Sequence, residues 1–291
     1  DDTANNNTAI GYAALTALNG GTQNVVVGQS AGAAMTTGGQ NTVIGTNAGD
    51  ALTDADFNVA MGYLALSADT LGSRSVAIGT SALRNQNLTT ATNTFNTAVG
   101  HDAGQAVTTG VQNTLIGGLA GDALTSGRDN IAIGYASLSS DTLGQKSTAI
   151  GHAALQNQNF TTAADSHNTA VGHSAGAAVT TGTLNTLIGG LAGDALTIGK
   201  NSVAVGKGAL GSDVAGKESV AVGNGALFAQ NFSTATNSFN VAVGSDAGVA
   251  ITTGVQNTLI GGLAGDALTD ADYNIAVGYL ALSTDTLGSQ S

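Results

Sequence analysis

Three histidines, His101, His152 and His173, are the residues of this 291-residue chain best suited to chemistry, because imidazole both exchanges protons near neutrality and ligates metals. Each follows a glycine, and His152 and His173 occupy the same place in consecutive repeats, close enough to stack. No third ligand accompanies them. The same place elsewhere holds residues such as Tyr63, Thr80, Lys207 and Ser245, the variety of a tolerant surface position. Asp50, Asp54 and Asp56, with Asp266, Asp270 and Asp272, offer the oxygen ligands that calcium takes. The intervening repeats carry Asp122, Ser126 and Asp129, then Asp194, Ile198 and Lys200, and a calcium loop does not tolerate isoleucine or lysine. The glycine-aspartate nonapeptide of calcium-binding β-rolls is also missing. These carboxylates read as solvated turn residues. No serine is singled out beside a histidine and a carboxylate, and repetition itself argues against catalysis, which needs a unique cavity. The reading is therefore of a non-enzyme with no catalytic, cofactor-binding or metal site.

The elements that would position such residues are set by a five-residue phrase, seen at Asn96-Thr97-Ala98-Val99-Gly100 and again at Asn113-Thr114-Leu115-Ile116-Gly117. It returns sixteen times, and its glycines are Gly11, Gly28, Gly45, Gly62, Gly79, Gly100, Gly117, Gly134, Gly151, Gly172, Gly189, Gly206, Gly223, Gly244, Gly261 and Gly278. Successive glycines are 17 residues apart, except for steps of 21 from Gly79, Gly151 and Gly223. Those long steps recur every 72 residues, so the chain is a four-coil block repeated, with an insertion in each fourth coil, as near Ser166 and His167. A fixed period of this kind signals a repeat architecture.

The phrase is short, β-branched and closed by glycine, which favours a strand over a helix. Alternation places Thr97 and Val99 on one face and Asn96 and Ala98 on the other. The residue before glycine is always Ile, Val or Met, and this column is expected to form an inward aliphatic ladder, with a smaller apolar column on the opposite face. A second short strand is expected after each glycine. One turn of chain per 17 residues then stacks parallel strands about 4.8 Å apart in an all-β, parallel β-solenoid over 1–291. The glycines are assigned as structural corners. Asn24, Asn41, Asn58, Asn96, Asn113, Asn130, Asn168, Asn185, Asn240, Asn257 and Asn274 are assigned as a structural ladder, each amide bonding the next coil and the turn backbone. At Ser75, Ser147, Ser202, Ser219 and Ser291 a hydroxyl stands in as a weaker rung.

Composition narrows the function classes. Glycine is abundant at 43 residues, aromatics are 4%, and proline, cysteine and tryptophan are absent, so a thin core of small and aliphatic side chains is required. The net charge of -12, with only seven basic residues, gives no patch for nucleic acid. Absent cysteine rules out disulfides and thiolate metal sites. No apolar run is long enough to span a bilayer as a helix. The chain opens on Asp1-Asp2 and stops at Ser291, where another phrase would begin, as a segment of a longer fibre would.

The phrase, with Asn201-Ser202-Val203-Ala204-Val205-Gly206 the nearest instance and Ser75-Val76-Ala77-Ile78-Gly79 another, resembles the head repeats of YadA-like trimeric autotransporter adhesins. The likeness covers nearly the whole chain. It implies a left-handed parallel β-roll, a homotrimer, and an extracellular adhesive role at a bacterial cell surface, with a host or cell-surface ligand that the phrase does not specify. The coils here are longer than the usual head repeat, and no heptad stalk or barrel anchor is present in this stretch. A phage or viral fibre segment, a self-assembling extracellular filament, and an ice-binding solenoid carrying the threonine ladder Thr36, Thr53 and Thr70 are the alternatives. A hexapeptide acyltransferase fits poorly, since 17 is not a multiple of six and no histidine loop protrudes.

Overall fold

The computed structural model describes residues 5–291; residues 1–4 of the expected domain lie outside that range. The chain forms two compact units. The first runs to Gln145 and takes in Thr161–Ala164, and the second comprises Lys146–Phe160 and Asp165–Ser291. Each is a parallel β-solenoid, and no α-helix occurs among the described residues. Eight three-residue strands define the first unit, from Thr8–Ile10 to Ile131–Ile133, and eight define the second, from Thr148–Ile150 to Ile275–Val277. Neighbours pair in exact-register parallel fashion, as Thr97↔Thr114, Ala98↔Leu115 and Val99↔Ile116 in the first unit. The second unit repeats this with Thr186↔Val203, Leu187↔Ala204 and Ile188↔Val205.

The strand faces are the reverse of the sequence expectation. Ala98, Leu115, Ala170 and Ala204, the middle residues of their strands, are fully buried, whereas Thr97 and Val99 are only half-buried and Ile116 is exposed. The inward column is therefore the small one, and the β-branched pair points outward. The asparagine explains the choice. Asn96 is fully buried with its amide bonded inside the coil, and a period of two carries Ala98 inward with it. Turning the strand over would hydrate the amide but leave its buried acceptor, Gly110 O, without a donor, at a cost of about 1–3 kcal/mol.

The second strand expected after each glycine is reduced to two-residue strands in the third and fourth coils only, such as Gly72–Ser73 paired in parallel with Thr92–Asn93 and Gly216–Lys217 with Thr236–Asn237. After each phrase glycine the chain runs through a series of turns in which φ is positive at alternate residues, for example Ser30 at 54° and Gly32 at 54°. Backbone bonding still passes from coil to coil there, through Ser30 N–H to Tyr12 O at 2.8 Å and Gly32 N–H to Ala48 O at 3.0 Å. Alternating handedness lets successive amides leave toward opposite neighbours, so this stretch of the solenoid wall closes without a pleated strand.

Two packing solutions fill this wall. In the first two coils of a block, glycine stands four places after the phrase glycine, and an aliphatic three residues later folds over it: a side chain at Gly49 would lie 2.7 Å from a methyl carbon of Leu52. In the third and fourth coils a leucine takes that space, as Leu66 and Leu83, both fully buried. The position three residues later then becomes polar, Asp69 and Gln86, and these are fully buried too. Leucine displaces the aliphatic, and the vacated position is free to carry hydrogen-bonding groups.

Candidate functional site

The most extensive surface feature is the outward face of the strands. Its columns are Val25, Thr42, Val59, Val76 and Thr97 on one side and Val27, Ile44, Met61, Ile78 and Val99 on the other, held in register by the pairing. The second unit presents the same face through residues such as Val220 and Val222. No charged residue occurs in either column. Most members are half-buried by their neighbours along the sheet, while Ile10, Val25, Met61, Ile116, Ile131, Ile188, Val243, Ile260, Ile275 and Val277 are exposed. Each column holds only β-branched residues except at Met61, so its side chains are stiff at χ1 and the surface is preorganised.

Behind this face the asparagines form the ladder that holds it level. Asn41 donates from Nδ2 to Ala55 O at 2.8 Å, and its Oδ1 accepts the Asn58 backbone N–H at 2.9 Å. Asn24, Asn96, Asn113, Asn130, Asn168, Asn185, Asn240, Asn257 and Asn274 donate in the same way to the carbonyl fourteen residues on. Asn58 does so to Gly72 O. The phrase glycines form the adjoining corner: Gly28, Gly45, Gly62, Gly79, Gly100, Gly117, Gly134, Gly151, Gly172, Gly189, Gly206, Gly223, Gly244, Gly261 and Gly278 all have φ between 129° and 145°. At Gly117 a Cβ would also sit 2.6 Å from the Gly134 carbonyl oxygen of the next coil, so both conformation and space require glycine.

Ser202 is the weaker rung expected, accepting the Ser219 N–H at 3.5 Å, but at Ser75, Ser147 and Ser219 the rung is rebuilt by a glutamine. Ser75 bonds Thr94 across the insertion, and Gln86 donates to Ser75 Oγ at 2.9 Å while its Oε1 accepts from Asn96 at 2.8 Å. Gln86 also donates to Asp69 Oδ2 at 2.5 Å, and Asp69 Oδ1 accepts the Gly72 and Leu88 N–H groups at 3.1 Å. The same cluster recurs as Asp213, Gln230, Ser219 and Asn240, with Ser219 and Ser238 hydroxyls in contact. Burial pushes the Asp69 and Asp213 carboxyls above the ordinary aspartate value, against the hydrogen bonds from Gln86 and Gln230, which favour ionisation. These buried clusters were not evident as sites in the sequence; the signal was the coupled change to Leu, Asp or Gln and Ser in the coils flanking each long step.

The sequence candidates fall as follows. His152 and His173 stack with centroids 5.1 Å apart and planes 8° off parallel. Their nitrogen lone pairs lie in those nearly parallel ring planes and do not converge on one ion, which would need both at about 2.0–2.1 Å. His101 Nδ1 lies 2.9 Å from Asp102. Asp54 and Asp56 are not simply solvated: they accept from the Thr37 hydroxyl and the Gly39 N–H, at 2.5 and 2.7 Å. Asp270 accepts from Thr252 and Thr253, and Asp272 from the Val255 N–H. These carboxylates tie one coil to the one before it. Asp50, Asp122 and Asp266 each keep a buried, unpartnered oxygen, and burial raises the Asp50 and Asp122 carboxyl pKa values. The threonine ladder spends its hydroxyls inward, Thr36 on Thr53 O and Thr53 on Thr70 O. At the insertion, Lys146 pairs with Asp165 at 2.5 Å beside the exposed His167.

No family model and no curated protein matches this chain.

Another exposed feature is a corner column just before the phrase asparagine. Arg74 stands over the Phe57 ring at 4.6 Å and near that of Phe95 at 6.0 Å, a cation held by exposed aromatics from the coils on either side. This column lies in solvent, while the strand face carries no charge, one of its columns being apolar throughout and the other mixing Val and Ile with residues such as Thr42, Thr97 and Thr186. Chemically, that face supports association by burial and shape, and it presents no group able to activate a nucleophile.

Proposed function

We propose that this chain is a non-catalytic structural segment of an extracellular surface fibre, related in kind to the YadA-like adhesin heads that its phrase resembles, and that it acts as a homotrimer. The observation that supports this reading is the outward strand face. Two charge-free columns of almost entirely β-branched side chains, one apolar throughout and the other mixing Val and Ile with Thr, form a largely apolar stripe of the kind that monomeric proteins rarely leave in water. Three copies packed through these columns bury them, while the corners and insertions that vary from block to block stay outside for adhesion. The buried asparagine ladder and coil-to-coil backbone bonding make the segment stiff, which suits a spacer or head.

Paired charges on this face test the association. Val220→Lys with Val222→Lys places two ammonium groups on the outward side of one strand, away from the buried Ala221. Sedimentation should show the parent as an assembly and the variant as single chains of unchanged circular dichroism. Equal sedimentation of the two proteins would reject the strand face as the contact.

A further inference from the structure

One place in the second unit departs from the block pattern in several residues at once. The third coil of a block opens with Tyr63, Tyr135 or Tyr279, but here with Lys207. Leu64, Ala136 and Leu280 give way to Gly208, and Ser67, Ser139 and Ser283 to Gly211. On the following coil Arg84 and Gln156 give way to Phe228, and Ser81 and Ala153 to Gly225. The backbone does not demand these glycines. Leu64 and Ala136 hold φ of 58° and 53° where Gly208 has 65°, and serine serves at the place of Gly211 in other blocks. Their shared effect is the removal of bulk.

The result is a groove of about 390 Å³, at the lower end of the ~300–1,000 Å³ expected of small-molecule sites. Phe228 lies on the glycine floor, where a Cβ at Gly208 or Gly211 would meet its ring at 3.5 and 3.0 Å, and it remains 47% exposed. Leu191 and Val249 supply further apolar wall, and Asp194, Lys207, Asn224 and Asp246 place polar groups around it. Replacement of the tyrosine leaves Gly190, the residue in the coil before, with open space above it, whereas Gly118 and Gly262 are covered by Tyr135 and Tyr279.

We propose that this groove binds a neutral saccharide ring. An aromatic face accepts the C–H side of a sugar, and a mixture of carboxylate acceptors, an ammonium donor and an amide matches vicinal hydroxyls, which donate and accept at once. Two carboxylates against one ammonium disfavour an anion, and the Lys207 ammonium and Asn224 amide are donors that a polyol's hydroxyl oxygens accept from and a simple cation does not, so a neutral polyol uses the whole set. The inference rests on the groove alone and is independent of whether three chains assemble.

Saturation-transfer NMR on the whole chain decides it, with methyl glycosides of glucose, galactose, mannose and N-acetylglucosamine as probes and choline and glucuronate as charged comparators. Transfer is expected to the ring hydrogens of at least one neutral glycoside, with affinity about tenfold lower in Phe228→Arg, which restores the residue type of the first block. Gly208→Ala with Gly211→Ser, the residues of the second block, fills the floor against the ring and gives the same loss with Phe228 itself unsubstituted. The inference is overturned by no transfer to any neutral glycoside, by preference for choline or glucuronate, or by equal binding in folded variants.

Discussion

Gln86 donates from Nε2 to Asp69 Oδ2 at 2.5 Å, one coil to the next, with both side chains fully removed from solvent. This pair sits where the chain makes its long step, and it shows how the solenoid absorbs an insertion. The asparagine rung is missing at Ser75, and the glutamine carries the ladder around the gap to Asn96.

Removing one partner tests that role. Gln86→Leu leaves the Asp69 carboxylate buried without its strongest donor and strands the Asn96 amide contact. A loss of about 2–4 kcal/mol is expected, seen as a lower melting temperature. The double variant with Asp69→Leu should recover part of it. An unchanged melting temperature in the single variant would mean that the cluster is not structural.

The ladder itself has a graded test. Asn113→Ala deprives Gly127 O of its donor at 2.9 Å and the Asn130 N–H of its acceptor at 3.1 Å, both buried. The expected cost is about 2–3 kcal/mol. Asn113→Ser should cost less, because Ser202 already fills such a rung and accepts the Ser219 N–H at 3.5 Å. Equal thermal melts for alanine and serine would contradict the ladder.

Gly117→Val places a β-branched side chain at φ 129° and against the Gly134 carbonyl. Strain and overlap together are expected to cost about 2–5 kcal/mol. Calorimetry checks this, and no change in melting would show that the corner is not confined as described.

The pH dependence has a definite sign. Burial raises the carboxyl pKa values of Asp69, Asp213, Asp50, Asp122 and Asp194 in the folded state above the unfolded value of 3.8. Between the two values the native state holds protons that the unfolded chain has released, so stability is greater on the acid side and is lost as pH rises through the folded values. Exposed Asp270, shifted down by its threonine donors, opposes this only below 3.8. The melting temperature should therefore rise as pH is lowered from 7 toward 4. A steady fall over that range would contradict the burial of these groups.

The period made the solenoid legible: a phrase repeated at 17 residues with β-branched flanks admits few other parallel folds. The corner glycines and the asparagine columns were legible for the same reason, since one residue type in one register has one geometric use. The faces were not. Thr97 and Val99 are more hydrophobic as a pair than Asn96 and Ala98, and hydrophobicity alone turns the strand the wrong way; the hydrogen-bonding demand of Asn96 decides it. The turns after each glycine were hidden because Ser30, Leu64 and Leu83 adopt positive φ, which residue type does not advertise. The groove at Phe228 was equally hidden, because it arises from two groups of residues on successive coils, 207–211 and 225–228, that change together.

The outward strand face is the centre of this account, and the absolute mass in solution tests it most directly. Static light scattering on the intact chain should report three times the 28.2 kDa chain mass at low micromolar concentration. A stable particle of one chain mass would contradict it, leaving these β-branched columns exposed to water.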